Sequence, residues 1–327
     1  MPISKSIEAP LITVGITCYN AEDTIERAIR SAAGQDWPNT EILIIDDCST
    51  DNSVVKINLA ITNLPQARLI ISERNGGAAA ARNQLLKNCK GTFIAFFDDD
   101  DESHPKRIRV QLARLLRHER ETGKTNICCY ASGRRLYPNG YSLEIEAIGS
   151  RPKIPSGPRI ADYLLFNGRV DGVFYGGGTP TCSLLARVET LEHVGGFDPT
   201  LRRVEDIDLA IRIALADGDF IGCPEDLYLQ HATEASDKTP ARNLESELQI
   251  VEKYAEYLKT RGSYIYSRDW FWIRYLHFSR QRVRFLLALV YFLLRFPLRG
   301  SRHLLRSAPA RARHEARMAA RPEGLKS

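Results

Sequence analysis

Residues 93–101, FIAFFDDDD, limit what this chain can fold into more than any other stretch. The run from Phe93 to Phe97 offers no polar face, so a strand here must be covered on both sides, as in a parallel sheet between two layers of helices. Asp98, Asp99, Asp100 and Asp101 follow without a spacer. They fall just past the C-terminal end of the strand, the edge where open α/β sheets bind ligands. Adjacent carboxylates repel and raise each other's pKa, so the run calls for a compensating cation or full solvation. A divalent metal is the natural compensator, and a solvated acidic loop is the plainer alternative.

The preceding sequence supplies the rest of such a sheet. Strands are expected over 11–17, 41–45 and 67–71, and helices over 21–33, with Asn20 as cap, and 53–63. A further helix opens on Gly76 and Gly77. Strand and helix alternate up to Phe97, and right-handed crossovers would make this a nucleotide-binding half-sheet. The second strand also ends in acids, Asp46 and Asp47, with Asp51 beyond. Further on, a basic helix is expected over 111–121, a core strand over 126–131, a hairpin around Pro138-Asn139-Gly140, and a loop over 150–158.

At 327 residues the chain suits one large α/β domain or a domain plus an appendage. Seven cysteines without a CxxC pair read as buried reduced thiols of a cytosolic protein rather than disulfides or a zinc site. The N-terminal MPISKSIEAPLITV has no apolar core after its lysine, so no secretory signal is expected.

The ordered motifs GITCYN, IDDCSTD, NGGAAAARN and FFDDDD, followed by Gly195-Gly196-Phe197-Asp198 and Glu205-Asp206-Ile207-Asp208-Leu209, resemble the inverting glycosyltransferases of family 2. The resemblance covers residues 10–235. It implies a GT-A fold with a catalytic domain over 1–240, its nucleotide-sugar half at 10–105 and its acceptor half at 106–240. By that resemblance Thr17, Tyr19 and Asp47 hold the base and ribose of a nucleotide sugar, with a uridine diphosphate sugar chosen by analogy; Arg82, Asp98 and Asp99 complete the nucleotide-sugar site, and Gly178 and Thr179 line its sugar and acceptor pocket. Asp100 binds Mn²⁺ or Mg²⁺, assisted by His231, and residues 232–238 close over the diphosphate. Asp206 is the general base, with Glu205 beside it for acceptor hydroxyls.

Chemistry supports these roles without compelling them. A carboxylate at Asp47 can accept from an imide N–H or a ribose hydroxyl, while the acids around it also make sense as helix caps. Arg82 can pair with a phosphate oxygen, or the alanine-rich segment around it can be a packed helix. A divalent cation offsets the charge that gathers on a departing diphosphate, and a carboxylate can deprotonate the attacking hydroxyl. Glu205 and Asp206 are equally suited to the first turn of a helix.

The C-terminal segment, 241–327, reads as a basic helical extension. From Arg261 onward there are 15 Lys+Arg against 3 Asp+Glu. The charge-free run 285–294 is too short for the ~20 residues that span a bilayer, and with its arginine flanks it suits a helix lying in an anionic membrane interface. A helix docked on the catalytic domain or a dimer interface is the alternative. Nucleic acid is not expected as a partner, since no nucleic-acid-binding fold or motif accompanies the arginines. The sequence therefore predicts a metal-dependent inverting glycosyltransferase, peripheral on the cytoplasmic membrane face, acting on a glycan or lipid-linked acceptor. It leaves an oligomer open. Truncation near Lys259 is expected to leave a soluble chain with donor binding intact. A nucleotidyltransferase and a non-catalytic, membrane-bound nucleotide-sugar-binding protein are the other classes considered.

Overall fold

The computed structural model describes residues 9–232 and 239–319. The first residues, read above for a leader, and the segment past Ala232 expected to close over a diphosphate lie outside the described residues.

The alternation read from the sequence is present as β1 (Ile12–Cys18), α1 (Ile25–Ala33), β2 (Thr40–Asp46), α2 (Ser53–Ile61), β3 (Ala67–Ile71), α3 (Ala78–Asn88) and β4 (Phe93–Asp98). β1 lies between β2 and β4, and β2 carries β3, all parallel. In β2 and β4 the continuous apolar runs split by period two. Ile42, Ile44, Phe93, Ala95 and Phe97 face one core, whereas Leu43, Ile45, Ile94 and Phe96 face the other. α1, α2 and the long helix α4 (Arg107–Thr122) cover the first core through Ile25, Ile57 and Leu112; α3 covers the second through Leu85.

One expectation fails at the first crossover. α1 begins at Ile25 with Thr24 as its cap residue, not at Ala21 with Asn20 as cap. Asn20 instead adopts φ 50°, and its side-chain oxygen accepts from the Thr50 N–H at 2.8 Å, tying the exit of β1 to the exit of β2.

Beyond β4 the sheet becomes mixed. The remaining strands are β5 (Glu102–Ser103), β6 (Ile127–Leu136), β7 (Ser142–Ile145), β8 (Leu184–Arg187) and β9 (Asp219–His231). Among the described residues they complete one sheet of order β3-β2-β1-β4-β8-β6-β9-β5, with β7 on β6 in the expected hairpin. The first half is all parallel, whereas in the second the long parallel pair β6–β9 is joined by short antiparallel ladders to β5, β7 and β8, and through β8 to β4. α5 (Pro158–Phe166), α6 (Val188–His193) and α7 (Glu205–Leu215) complete this part. α5 lies where no element is expected above; Pro158 at its start and Ile160, Ala161 and Leu165 on one face are its marks in the sequence.

The boundary expected at residue 240 does not separate two cores. α8 (Pro240–Lys253) contributes Leu244, Ile250 and Val251 to the second core, and α10 (Tyr264–Phe278) adds Phe271. Between them lies the short α9 (Ala255–Thr260). Truncation near Lys259, expected to leave a soluble chain with donor binding intact, would remove α10 and its Phe271 from the second core. α11 (Arg282–Arg295) docks on α10 by placing Phe292 against Tyr266, while α12 (Pro297–Ala319) returns along them with His303 beside Trp270. Among the described residues no helix is long and apolar enough to cross a membrane. All seven cysteines are free thiols, five of them buried.

Candidate active site

Parallel register assembles the first half of the site. Thr17 is level with Ile45 and Asp98, and Cys18 with Asp46, so β1, β2 and β4 end together. Past that edge opens a cleft of about 1210 Å³ lined by Thr17, Tyr19, Asp47, Arg82, Asp98, Asp99 and Asp100. Seven residues singled out from the sequence are thereby brought together.

Their roles in holding the cleft differ. Asp47 is buried, and its carboxylate accepts from the N–H groups of Gly76 at 2.9 Å and Gly77 at 2.7 Å. Gly77 caps α3 at φ 82°, a left-handed conformation that glycine adopts at little cost. Asp47 therefore fixes the glycine turn as well as facing the cleft. Tyr19 is 48% exposed, so it is a cleft residue and not a core aromatic, and its N–H donates to Asp99 at 3.0 Å. The cleft also has three arginines that no motif singled out, Arg202, Arg203 and Arg242. Arg202 donates to the Asn75 side chain at 3.2 Å. Arg242 comes from α8, so the C-terminal segment supplies part of this wall.

The aspartate run is strained by its own charge. Burial, with Asp100 and Asp98 as neighbours, pushes Asp99 up to about 7 against the Tyr19 N–H that lowers it. Burial and the same two neighbours push Asp101 up to about 8. Burial also raises Asp98, with Arg82 opposing. One buried carboxylate oxygen of Asp101 has no hydrogen-bond partner. Side-chain ligand atoms of Asp98, Asp101 and Cys182 lie within 4.8 Å of one another. Hard oxygens in excess of their compensating cations fit a divalent metal such as Mg²⁺ or Mn²⁺; the Cys182 thiol is soft, and burial raises its pKa. His231 is not grouped with Asp100. Its ring pairs with Glu102 at 2.8 Å, and its backbone N–H donates to Asp101 at 3.0 Å, so it closes the outer end of the acidic run.

Arg82, expected at a phosphate oxygen, lines the large cleft and is held there by two acids. It is buried, with Glu205 at 2.5 Å on one side and Asp98 at 3.6 Å on the other. Burial alone would lower its pKa, but the charges of Glu205, Asp98 and Asp206 raise it. Glu205, expected to reach acceptor hydroxyls, pairs with this arginine. Arg82, carried by α3, thereby ties the end of β4 to the start of α7 on one side of the sheet.

The next residue, Asp206, lines a second cleft of about 310 Å³ together with Gly178, Thr179 and Ile207. Gly178 and Thr179, expected along the sugar and acceptor pocket, line this second cleft and not the large one. Burial first, and then the Glu205 charge, push Asp206 up to about 6, while Arg82 and the Ile207 N–H pull it down. A carboxylate of that basicity suits proton transfer near neutrality. Asp208, two residues on, is fully buried and serves packing: Arg212 and Lys253 lie at 2.7 Å and the Tyr254 hydroxyl donates to it at 2.8 Å, locking α8 onto α7.

A parallel half-sheet with acids along its C-terminal edge, joined to a mixed half that brings a second acidic pair on a helix start, defines the GT-A fold of glycosyltransferases. Residues 13–162 match the family model described as Glycosyl transferase family 2, and this segment is a domain of that family. The chain is 35% identical over 142 residues to hyaluronan synthase of Pasteurella multocida, covering 43% of this chain and 14% of that protein. It is 33% identical over 150 residues to the putative colanic acid biosynthesis glycosyl transferase WcaA of Escherichia coli, covering 46% of this chain and 50% of that one. The matches thus span half or less of these two relatives. Among solved structures, S. aureus TarS 1–349 has the same fold, with a TM-score of 0.56, 19% identity and coverage of 88% of this chain and 82% of that one. TarS has also been solved with UDP and with UDP-GlcNAc.

Proposed function

We propose that this protein transfers a sugar from a nucleoside diphosphate sugar to a hydroxyl of a glycan or lipid-linked acceptor, inverting the anomeric centre, at the cytoplasmic face of a membrane. The observation that carries the reading is the position of Asp206. It faces the second cleft, while Glu205 next to it is bonded to an arginine of the large one. The donor lies in the large cleft, with Tyr19 and Asp47 near the nucleoside and Arg202, Arg203 and Arg242 facing the diphosphate. Uridine is the base favoured by the ligands of TarS. The acceptor oxygen attacks the anomeric carbon, the bond from that carbon to the phosphate oxygen breaks, and Asp206 takes the hydroxyl proton. Asp98 and Asp101, whose ligand atoms converge, with Asp100 between them in the acidic run, would hold Mg²⁺ or Mn²⁺, which when bound would supply positive charge to the departing diphosphate.

The membrane part of the reading is supported by α11. Its inner face packs on α10, but Val283, Leu286, Leu287, Val290, Tyr291 and Leu294 on the other side are all exposed. Arg282, Arg284 and Arg295 flank this apolar face. An anionic lipid surface satisfies both, burying the apolar side chains and attracting each arginine by about 1 kcal/mol.

Asp206→Asn tests the chemistry. UDP binding, read by thermal shift with Mn²⁺, should persist, and transfer should fall by ~10²–10⁴. In the wild type kcat/KM should rise with pH through about 6, because only the carboxylate accepts the proton. Activity surviving within a few fold would assign the base elsewhere, and a product of retained configuration would rule out single displacement.

A further inference from the structure

We infer that Arg169 and Arg299 form a binding site for the phosphate of an anionic lipid whose headgroup is a phosphate monoester, at the seam where the C-terminal helices meet α5. The inference deepens the membrane reading above and rests on it. Geometry, charge and position carry it in turn.

Both guanidiniums are held on aromatic rings that stand one turn apart on α5. Arg169 lies over Tyr163 at 4.8 Å, and Arg299, from α12, lies over Phe166 at 4.7 Å. Arg299 also lies over Tyr266 of α10 at 3.9 Å. Its Nη2 donates to the Ser263 hydroxyl at 2.9 Å, and none of its other nitrogens is buried without a partner, so they face solvent. Arg169 is exposed and donates from Nε to the Asn167 side-chain oxygen at 2.8 Å, which orients the guanidinium and leaves its outer edge open. A guanidinium stacked on a ring keeps its N–H edge free, and that edge matches the oxygens of a phosphate.

Among the described residues neither guanidinium is paired with a carboxylate, because the acids of this seam are engaged elsewhere. Asp162 accepts from the Tyr257 hydroxyl at 2.7 Å and pairs with Arg261 at 3.4 Å, Asp171 pairs with Arg306 at 3.7 Å, and Glu247 pairs with Arg274 at 2.7 Å. Burial lowers the Arg299 pKa, with Tyr266 and the more distant Asp162 opposing, so this cation is partly desolvated without a close counter-charge. Burial first, and then the charges of Arg169, Arg274 and Arg299, push His303 down to about 4, so the three guanidiniums act on one ring that stays neutral. With Arg274 balanced by Glu247, two positive charges remain. A phosphate monoester carries roughly −1.5 to −2 near pH 7 and offers three acceptor oxygens, whereas a diester has a single charge. The monoester is therefore the better complement.

Position points to a lipid as its source. Leu298, 76% exposed, directly precedes Arg299, and Leu294, 78% exposed, ends the apolar face of α11. Phe296 between them packs with Phe166 and Phe285 in the small core that holds α11 on α10. The site thus lies within about one turn of chain from side chains that enter the acyl boundary in the membrane reading, at the level where headgroup phosphates stand.

The test is co-flotation of the full-length protein with phosphatidylcholine vesicles that contain either phosphatidic acid, a monoester, or phosphatidylglycerol, a diester, at equal surface charge. The wild type should prefer phosphatidic acid about tenfold, the scale of a hydrogen bond to a charged group. Arg169→Lys and Arg299→Lys keep the charge but lose the planar fork, so each should erase most of that preference while phosphatidylglycerol binding stays within about twofold. Arg169 is exposed, so its variant keeps the test independent of folding. Arg282→Gln, on α11, should weaken binding to both lipids alike. Equal affinity for the two lipids, or a preference intact in both lysine variants, overturns the site. Inorganic phosphate should displace the protein only in large excess; displacement at equal phosphate concentration would show a site for a free anion and overturn the lipid assignment. The two readings fail differently. Binding to phosphatidylglycerol vesicles without preference removes the site alone, whereas failure to bind either vesicle removes the membrane reading as well.

Discussion

Arg82→Met should be felt in both stability and chemistry, because one guanidinium bridges acids from two halves of the sheet. The side chain is one-tenth exposed and lies against Glu205 at 2.5 Å and Asp98 at 3.6 Å. Methionine fills a similar length but leaves buried carboxylates unpaired, a loss that typically costs ~3–5 kcal/mol. At roughly 2–4 °C per kcal/mol for domains somewhat smaller than this one, the melting midpoint should fall by on the order of 10 °C. Arg82 also lowers the Asp206 pKa against the burial that raises it, so its removal moves that pKa above about 6. The acid limb of kcat/KM should shift to higher pH accordingly. The stability deficit has the opposite dependence: Asp98 and Asp206 lose their uncompensated charge on protonation, so the deficit is largest above pH ~7 and shrinks toward pH ~5. Scanning fluorimetry across pH, paired with initial rates, reads both. A loss below ~1 kcal/mol together with an unmoved acid limb would refute the bridge as the element joining the two halves.

Two further outcomes concern the C-terminal helices. Burial lowers the His303 pKa from 6.5 to about 4, so the fold favours its neutral form; the stability this gives is complete above pH 6.5 and is lost as pH falls through about 4. Trp270 fluorescence followed through acid titration should report that loosening, and His303→Leu should flatten the slope; identical slopes would exclude His303 as the source. On α11, Leu287→Glu with Val290→Glu alters side chains 67% and 57% exposed, so folding should be unaffected. Affinity for anionic liposomes should drop at least ~10-fold, as expected when even part of two apolar side chains no longer enters lipid. Unchanged binding would mean that another surface meets the membrane.

Much of this molecule was legible locally. The apolar runs at β1, β2 and β4 mark strands because only a strand covered on both faces tolerates them, and the acids after Ile45 and Phe97 mark the ligand edge because parallel strands that start together end together. The start of α7 at Glu205-Asp206 was legible for the same kind of reason, acids gathering in a helix's first turn. What the sequence could not decide is which of these residues face one another. Arg82 and Glu205 are 123 positions apart, and their pairing depends on α3 and α7 lying on the same side of the sheet, so a side chain that locally could serve a phosphate belongs to a bridge. Gly178 and Thr179 go to the second cleft because the β6–β7 hairpin pins their loop. α8 and α10 are part of the catalytic core, although their composition reads as an appendage, because Asp208 binds Lys253 and Tyr254 and because Phe271 joins the core to which α7 contributes Leu209 and Ile213. Hydrophobic period and capping are encoded within a few residues and survive in any context. Helix docking and long-range ion pairs exist only once the crossovers have chosen their side of the sheet, and that choice sets the partners of each acid here.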